Sequence, residues 1–363
     1  MQIFTLNQNK KIRTVSAVMS KKVAIFSDLH LGVHQNSNFW IDVSLDWVNW
    51  FKDEISSKGI EDIIFCGDFF HYRDEVNLVS LDAGNKVLEI LKDFNLYMIT
   101  GNHDCYYKDT SEINSLSIFK DRKNIHVFDF LNTKYFGDKR FTFCPWGTKV
   151  DKINESDVIF GHFELQNFKM NAFKICDDGD DPEILIKKAP LIFSGHFHLR
   201  DEKKYDTSTI VYAGNPFQMD FGDAYQSKGY YILDVDTLKY EFIENNTTPK
   251  HIKVYLSKLI KLKDIDSMSS FIPNNIIKLV IDKNISSKHL DVLLAKMSTY
   301  KPSDLHVDYD VNYNKIKVNE EASIDLSGVD IIKAIQDFVD LLDVNNKKEV
   351  IDYTISLYNR SKL

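Results

Sequence analysis

A layered α/β fold is what this chain predicts, and three observations predict it. Apolar runs of five or six residues, free of internal charge, recur from Lys21 to about Asn246. Amphipathic stretches with helical spacing stand between the first of them. Short blocks rich in Asp, His, Asn and Gly close several of the runs.

The runs in order are VAIFS, DIIFC, LYMIT, FTFCPW, DVIFG, LIFSG and TIVYAG. Continuous rather than alternating hydrophobicity implies strands buried on both faces. Between the first two lies FWIDVSLDWVNWFKDEISS, with Trp40, Val43, Trp47 and Trp50 at helical spacing. LVSLDAGNKVLEILKDF follows the second run and is again helical. Such apolar stripes are core faces. Ligand-type residues then fall on loops at the carboxyl ends of strands, where open α/β sheets place their sites.

The 363 residues suit two domains. Residues 1–20, with Lys10, Lys11 and Arg13, read as an N-terminal extension rather than a targeting peptide. A site-bearing domain is expected over 21–246, ending at the polar cluster Asn245-Asn246-Thr247-Thr248-Pro249. A smaller α/β cap is expected over 247–320, with strands at HIKVYLS, IIKLVID and HVDYDV and helices near 263–270 and 286–299. Residues 321–363 read as two amphipathic helices, one lined by Ile331, Ile335, Phe338 and Leu342, the other by Val350, Tyr353 and Leu357, which either pack on their own domain or dock a partner's helices.

Composition bounds the function. With 44% apolar and 13% aromatic residues the chain is globular, and it has no uncharged apolar stretch approaching eighteen residues. Cys66, Cys105, Cys144 and Cys176 show no C-x-x-C spacing, which argues against a thiolate zinc site and for a reducing, cytoplasmic setting. A net charge of −8 excludes a protein that holds DNA through its overall field.

Five blocks carry the chemistry: Asp28 and His30, Asp68, Asn102, His162, and His196 with His198. Asp28 and His30 are two apart, so persisting strand geometry would point them the same way. Carboxylate, imidazole and amide oxygen together suit Mn²⁺, Fe²⁺ or Zn²⁺. Gly161 and Gly195 precede His162 and His196 and are expected to let the backbone turn sharply. The order D-x-H, G-D, G-N-H-D, G-H, G-H-x-H predicts two divalent ions and hydrolysis at phosphorus by activated water. His103 follows a ligand and suits donation to a phosphate or leaving oxygen; Asp104 either orients His103 or caps its loop.

These blocks resemble the calcineurin-like metallophosphoesterase superfamily, and within it the nuclease subunit of SbcCD-type double-strand-break repair complexes. DLHLG extends the first motif in that manner, and GHFELQNF, YAGNPFQMDFGD and FIENNTTP resemble the T-even-type phage branch. The resemblance implies a β-sandwich core flanked by helices. It implies one metal on Asp28, His30, Asp68 and His198, and a second on bridging Asp68 with Asn102, His162 and His196, with His103 catalytic. His71 stands where Ser/Thr phosphatases carry an Asp; it matches the archaeal and eukaryotic nucleases, and so implies a part in handling the leaving group or the DNA strand.

The resemblance further implies a Mn²⁺-dependent nuclease (Mg²⁺ as the alternative), 3′→5′ on duplex ends and endonucleolytic on single strands. Its partners would be DNA, a second copy, and an SbcC-type ABC ATPase with coiled coils, in the cytoplasm (the host's, for a phage-encoded chain) and without a membrane. The Trp-rich helix and segment 70–115 are candidate dimer faces. Loops after the ligands supply candidate DNA contacts: Arg73, Lys108, Arg122, Lys123, Arg200, Lys203 and Lys204. The rival readings are a small-molecule or nucleotide phosphodiesterase of the same fold, and a DNA-end tethering scaffold.

Overall fold

A computed structural model describes residues 21–172, 174–259, 265–310, Gln336, Val339 and 346–360. Two compact units divide the chain: residues 1–280 with 285–308, and residues 281–284 with 309–363.

The first unit is a β-sandwich of two six-stranded sheets. One sheet holds β1 (Lys22–Phe26), β2 (Asp62–Phe65), β3 (Asn95–Ile99) and β4 (Ile125–Phe128) in parallel, extended antiparallel on the β1 side by β11 (Gly229–Asp234) and β12 (Tyr240–Glu244). The other orders β5 (Asn132–Phe136), β6 (Lys139–Cys144), β7 (Val158–Gly161), β8 (Leu191–Ser194), β10 (Thr209–Tyr212) and β9 (Asp201–Lys204); β6, β7, β8 and β10 are parallel.

Burial on both faces explains the continuous hydrophobicity. Successive side chains of a strand alternate faces. On β1, Val23 and Ile25 enter the space between the sheets with Ile64, Phe143, Phe160 and Phe193. Ala24 and Phe26 face outward onto helices Asn38–Ser57 and Leu78–Ile90, among Trp47, Phe51, Val87 and Leu88. On the far face of the second sheet, Ile159, Ile192 and Tyr212 pack on Phe163, Phe168 and Leu185. Trp47 is fully buried and stacks on Phe51 at 5.0 Å. Trp40 is also in the core, so neither ring is offered to a partner.

Beyond residue 246 the first unit continues as a three-stranded sheet, β13 (His251–Tyr255), β14 (Ile276–Ile281) and β15 (Asp304–Tyr309), with a 3₁₀ turn at Ile265–Ser270 and a helix at Ser287–Ser298. Ser286 caps that helix by accepting from His289 N–H. In the second unit the described helix is Lys347–Arg360, on which Tyr353 is exposed. The predicted helix through Ile331, Ile335, Phe338 and Leu342 lies outside the described residues.

Register decides where the site forms. Phe26 lies opposite Phe65, and Phe65 opposite Met98, so three loops leave the first sheet at one edge. Cys144, Gly161, Ser194 and Tyr212 align likewise in the second. The two edges meet where His162 Nδ1 hydrogen-bonds the Cys66 carbonyl at 2.7 Å.

Candidate two-metal centre

β1 ends at Phe26, so Asp28 and His30 do not converge by pleating. Both residues adopt left-handed backbone, at φ 56° and 48°, as do Asp68 at 62° and His196 at 90°. Non-glycine residues there cost of order 1–3 kcal/mol each and persist where surrounding structure dictates them. Gly67, at φ 97°, is required: a Cβ would collide with the His162 ring and the Gly101 backbone. Gly161 and Gly195 serve differently from the sharp turns expected, since neither has positive φ. Gly195 instead permits close approach, because its Cβ would strike Ser27 and the Cys66 carbonyl.

All seven ligand-type residues are brought together. His30 Nε2 lies 2.8 Å from His198 Nε2, 3.6 Å from Asp68 Oδ2 and 3.9 Å from Asp28 Oδ1. His162 Nε2 lies 3.3 Å from the same Asp68 oxygen. Asn102 Oδ1 sits 3.0 Å from His162 Nε2 and 2.9 Å from His196 Nδ1. Asp28 also accepts the His196 backbone N–H, at 3.2 Å and 3.3 Å to its two oxygens. One carboxylate oxygen thus stands between two imidazole donors, so Asp68 could serve both of two cations held there. Asp28, His30, Asp68, Asn102 and His162 are buried, His196 and His198 half-buried, and together they offer nitrogen and oxygen in a mix that suits divalent ions, so the residues fit a two-metal group. His162 Nδ1–H donation to Cys66 O leaves Nε2 free as the ligand atom.

Burial and the Asp68 carboxylate set the electrostatics of the site. Burial, then the neighbouring His198, holds His30 well below the usual imidazole pKa, so it stays neutral. Burial, then His162, pushes His196 down to about 3. For His162 burial acts downward, but the Asp68 carboxylate outweighs it and raises the ring to about 9. Burial likewise opposes ionisation of Asp68, yet His162 holds it below the usual carboxylate range.

His103 donates its backbone N–H to Asp68 Oδ1 at 2.8 Å, and its ring Nδ1 bonds the His71 carbonyl at 2.5 Å. His71 lies with His30 and His103 in one imidazole cluster, its Nδ1 3.4 Å from His30 Nδ1; burial, then His103, lowers it to about 4. Both Asp104 oxygens are taken by backbone. Oδ2 accepts from Asp68 N and Gly101 N, and Oδ1 from Phe69 N, at 2.9 Å each; Oδ1 also accepts from Phe70 N at 3.2 Å. The carboxylate therefore clamps the ligand loops. Burial, then Asp68, pushes its pKa up to about 7, against four donors that favour the anion.

The cationic residues divide. Arg200 stacks over the Phe242 ring at 4.0 Å and reaches Tyr231 OH at 3.5 Å. Lys203 donates to Asn167 O at 2.6 Å over the Phe168 ring, and Lys204 pairs with Glu202 at 3.2 Å. Arg122 donates to Asn85 Oδ1 at 2.9 Å beside α-helix Leu78–Ile90, and Lys123 is in the following turn. Lys108 lines a cleft of about 240 Å³ with His162 and Trp146, and Arg73 follows His71 by two residues. Trp146 escaped sequence reasoning: it packs on the His196 ring at 5.1 Å and on His162 at 6.0 Å. Its only signal was the end of the run FTFCPW.

Residues 21–200 match the calcineurin-like phosphoesterase family, and the chain carries a metal-dependent phosphoesterase domain of that class. Two curated relatives carry nuclease names. It is 26% identical to Exonuclease subunit 1 of Enterobacteria phage T4, over 93% of this chain and 98% of the relative. It is 21% identical to the SbcCD nuclease subunit SbcD of Staphylococcus epidermidis, over 83% and 90%. A dimetal phosphatase from Danio rerio aligns loosely, at 10% identity and a TM-score of 0.41, over 60% of this chain and 93% of its own.

Proposed function

We propose that this chain is a Mn²⁺-dependent DNA nuclease, with Mg²⁺ as the alternative ion, acting in double-strand-break processing, recombination and repair. It cuts 3′→5′ on duplex ends and endonucleolytically on single strands. The observation that carries the reading is the Asp68 oxygen shared between the His30 and His162 groups, in a chain whose relatives are named as nuclease subunits.

Asp28, His30, Asp68 and His198 would hold one ion; Asp68, Asn102, His162 and His196 the other. The chemistry two divalent ions supply there is a water acidic enough to attack phosphorus at neutral pH, with neutralisation of the phosphate charge. His103, fixed through Nδ1 on the His71 carbonyl, would serve the departing oxygen through Nε2. His71 supports that ring through its carbonyl and would assist in handling the leaving group or the DNA strand. Asp104 acts through the loops it holds. Arg73, Lys108, Arg200 and Lys203 contact the phosphate backbone, without reading sequence.

The working assembly is a homodimer with an SbcC-type coiled-coil ABC ATPase, in the cytoplasm. Within segment 70–115, Leu78, Val79, Tyr106, Tyr107 and Ile113 are exposed apolar side chains suited to a second copy. The domain reading follows: a nuclease domain over 21–246, a cap over 247–320, and an ATPase-binding segment over 321–363. No helix among the described residues is long and apolar enough to cross a membrane.

The test is degradation of end-labelled linear duplex and single-stranded DNA with Mn²⁺, with Mg²⁺ and with EDTA, alone and beside the cognate ATPase. Metal-dependent cleavage is expected, falling about 10²- to 10⁴-fold in His103→Asn while metal binding persists. Hydrolysis of bis-p-nitrophenyl phosphate without DNA cleavage, even with the ATPase present, would sink the nuclease reading in favour of a small-diester phosphodiesterase.

A further inference from the structure

A buried lysine outside the ligand set stands directly behind it. The Lys228 side chain is 2% exposed and its partner Asp223 9%. An ammonium has three N–H donors, and here each has an acceptor. One goes to the His198 carbonyl at 2.7 Å, one to Asp223 Oδ1 at 2.7 Å, and one to Asn215 Oδ1. Asp223 Oδ2 in turn accepts from Asn215 Nδ2 and from Met219 N, at 3.0 Å each. Asn215 Nδ2 also donates to Phe217 O at 2.8 Å. The network joins the exit of β10, the loop 217–223 and the main chain of a metal ligand.

His198 follows β8 by four residues, in a loop, so no sheet ladder holds it. Its carbonyl is held by Lys228 Nζ, with a longer 3.4 Å bond from Asn215 N. Gly214, at φ 70°, allows this approach, since a Cβ there would lie 2.8 Å from the same carbonyl. The loop tied to Asp223 also walls a cavity of about 450 Å³, where Asp220, Gly222, Asp223 and Gln226 face His196 and His198.

We infer that Lys228 is a positioning residue: it orients the His198 ligand, and with Asp223 and Asn215 fixes the wall of the pocket beside the metals. This rests on the two-metal reading above. The plainer alternative is an ion pair that serves stability alone. The two differ in what they predict for metal affinity, because groups that orient a ligand typically change affinity by about 10- to 100-fold.

The experiment is Mn²⁺ titration of metal-free protein by isothermal calorimetry, on wild type, Lys228→Met and the double variant Lys228→Met/Asp223→Leu. The double variant removes both buried charges together, which folded proteins tolerate far better than one orphaned charge. It still deprives the His198 carbonyl of its donor. One of the two Mn²⁺ sites should weaken about 10- to 100-fold in both variants, the other staying unchanged. Two sites of wild-type affinity in the folded double variant would overturn the assignment of Lys228 alone. A wild-type protein that takes up fewer than two ions would overturn the two-metal reading itself, and this inference with it.

Discussion

Replacing Asp104 by Asn tests whether this carboxylate is a loop clamp or a partner of His103. Asn keeps the shape but turns one acceptor into an N–H₂ group. If its oxygen stays on Phe69 N and Phe70 N, the new N–H₂ faces Asp68 N and Gly101 N, two donors that lose their acceptor. Asp104 is 1% exposed, so water does not substitute freely. An orphaned buried donor costs about 1–3 kcal/mol, so two predict a loss of about 4 kcal/mol. With a urea slope of about 3 kcal/mol per molar, the unfolding midpoint falls by roughly 1.3 M. The comparison belongs at pH 8, above the pKa of about 7 to which burial and Asp68 push this group. Asp104→Ala, which strips all four N–H groups of their acceptor, should cost at least as much as Asn. Wild-type stability in Asp104→Asn, with only turnover reduced, would refute the clamp and favour orientation of His103.

Two further outcomes follow from packing and burial. Trp47→Ala empties the layer between the first sheet and its helices and should cost about 3–5 kcal/mol, read as a lowered denaturation midpoint; a loss under about 1 kcal/mol would mean this layer tolerates collapse. His251, stacked on Trp40 at 5.6 Å, is lowered to about 4, by burial first, against Asp223 and Asp220. The unfolded chain therefore takes up the proton first as pH falls, and stability declines from about pH 6.5 to about 4, by at most about 3 kcal/mol. Stability of His251→Gln measured across that window should fall less steeply than wild type, and parallel curves would show that His251 is not responsible.

Much of the fold was legible because burial leaves a mark on composition. The seven apolar runs are strands since both faces of each sheet are covered, by the opposing sheet and by helices or loops. The strands that escaped include the edges. β9 reads DEKK and β5 reads NTKYF, with exposed residues at alternate positions. Edge strands carry charge to discourage further pairing, which erases the apolar signal. β11, GYYILD, is buried almost throughout and does carry the signal, but no ligand block follows it to mark it out.

Residue types and their order along the chain determined by themselves that carboxylate, imidazole and amide donors follow strand ends, and hence the class of reaction. Only the tertiary structure decided how those donors converge. It does so through left-handed turns at Asp28, His30, Asp68 and His196 rather than through pleating. It also set both Asp104 oxygens against four backbone N–H groups, and placed Lys228, thirty residues beyond His198, against that ligand's carbonyl. The physical reason is common to all three. A chemical donor is written in the side chain, but its direction and its partner are set by backbone conformation and by loops from two sheets meeting at one edge.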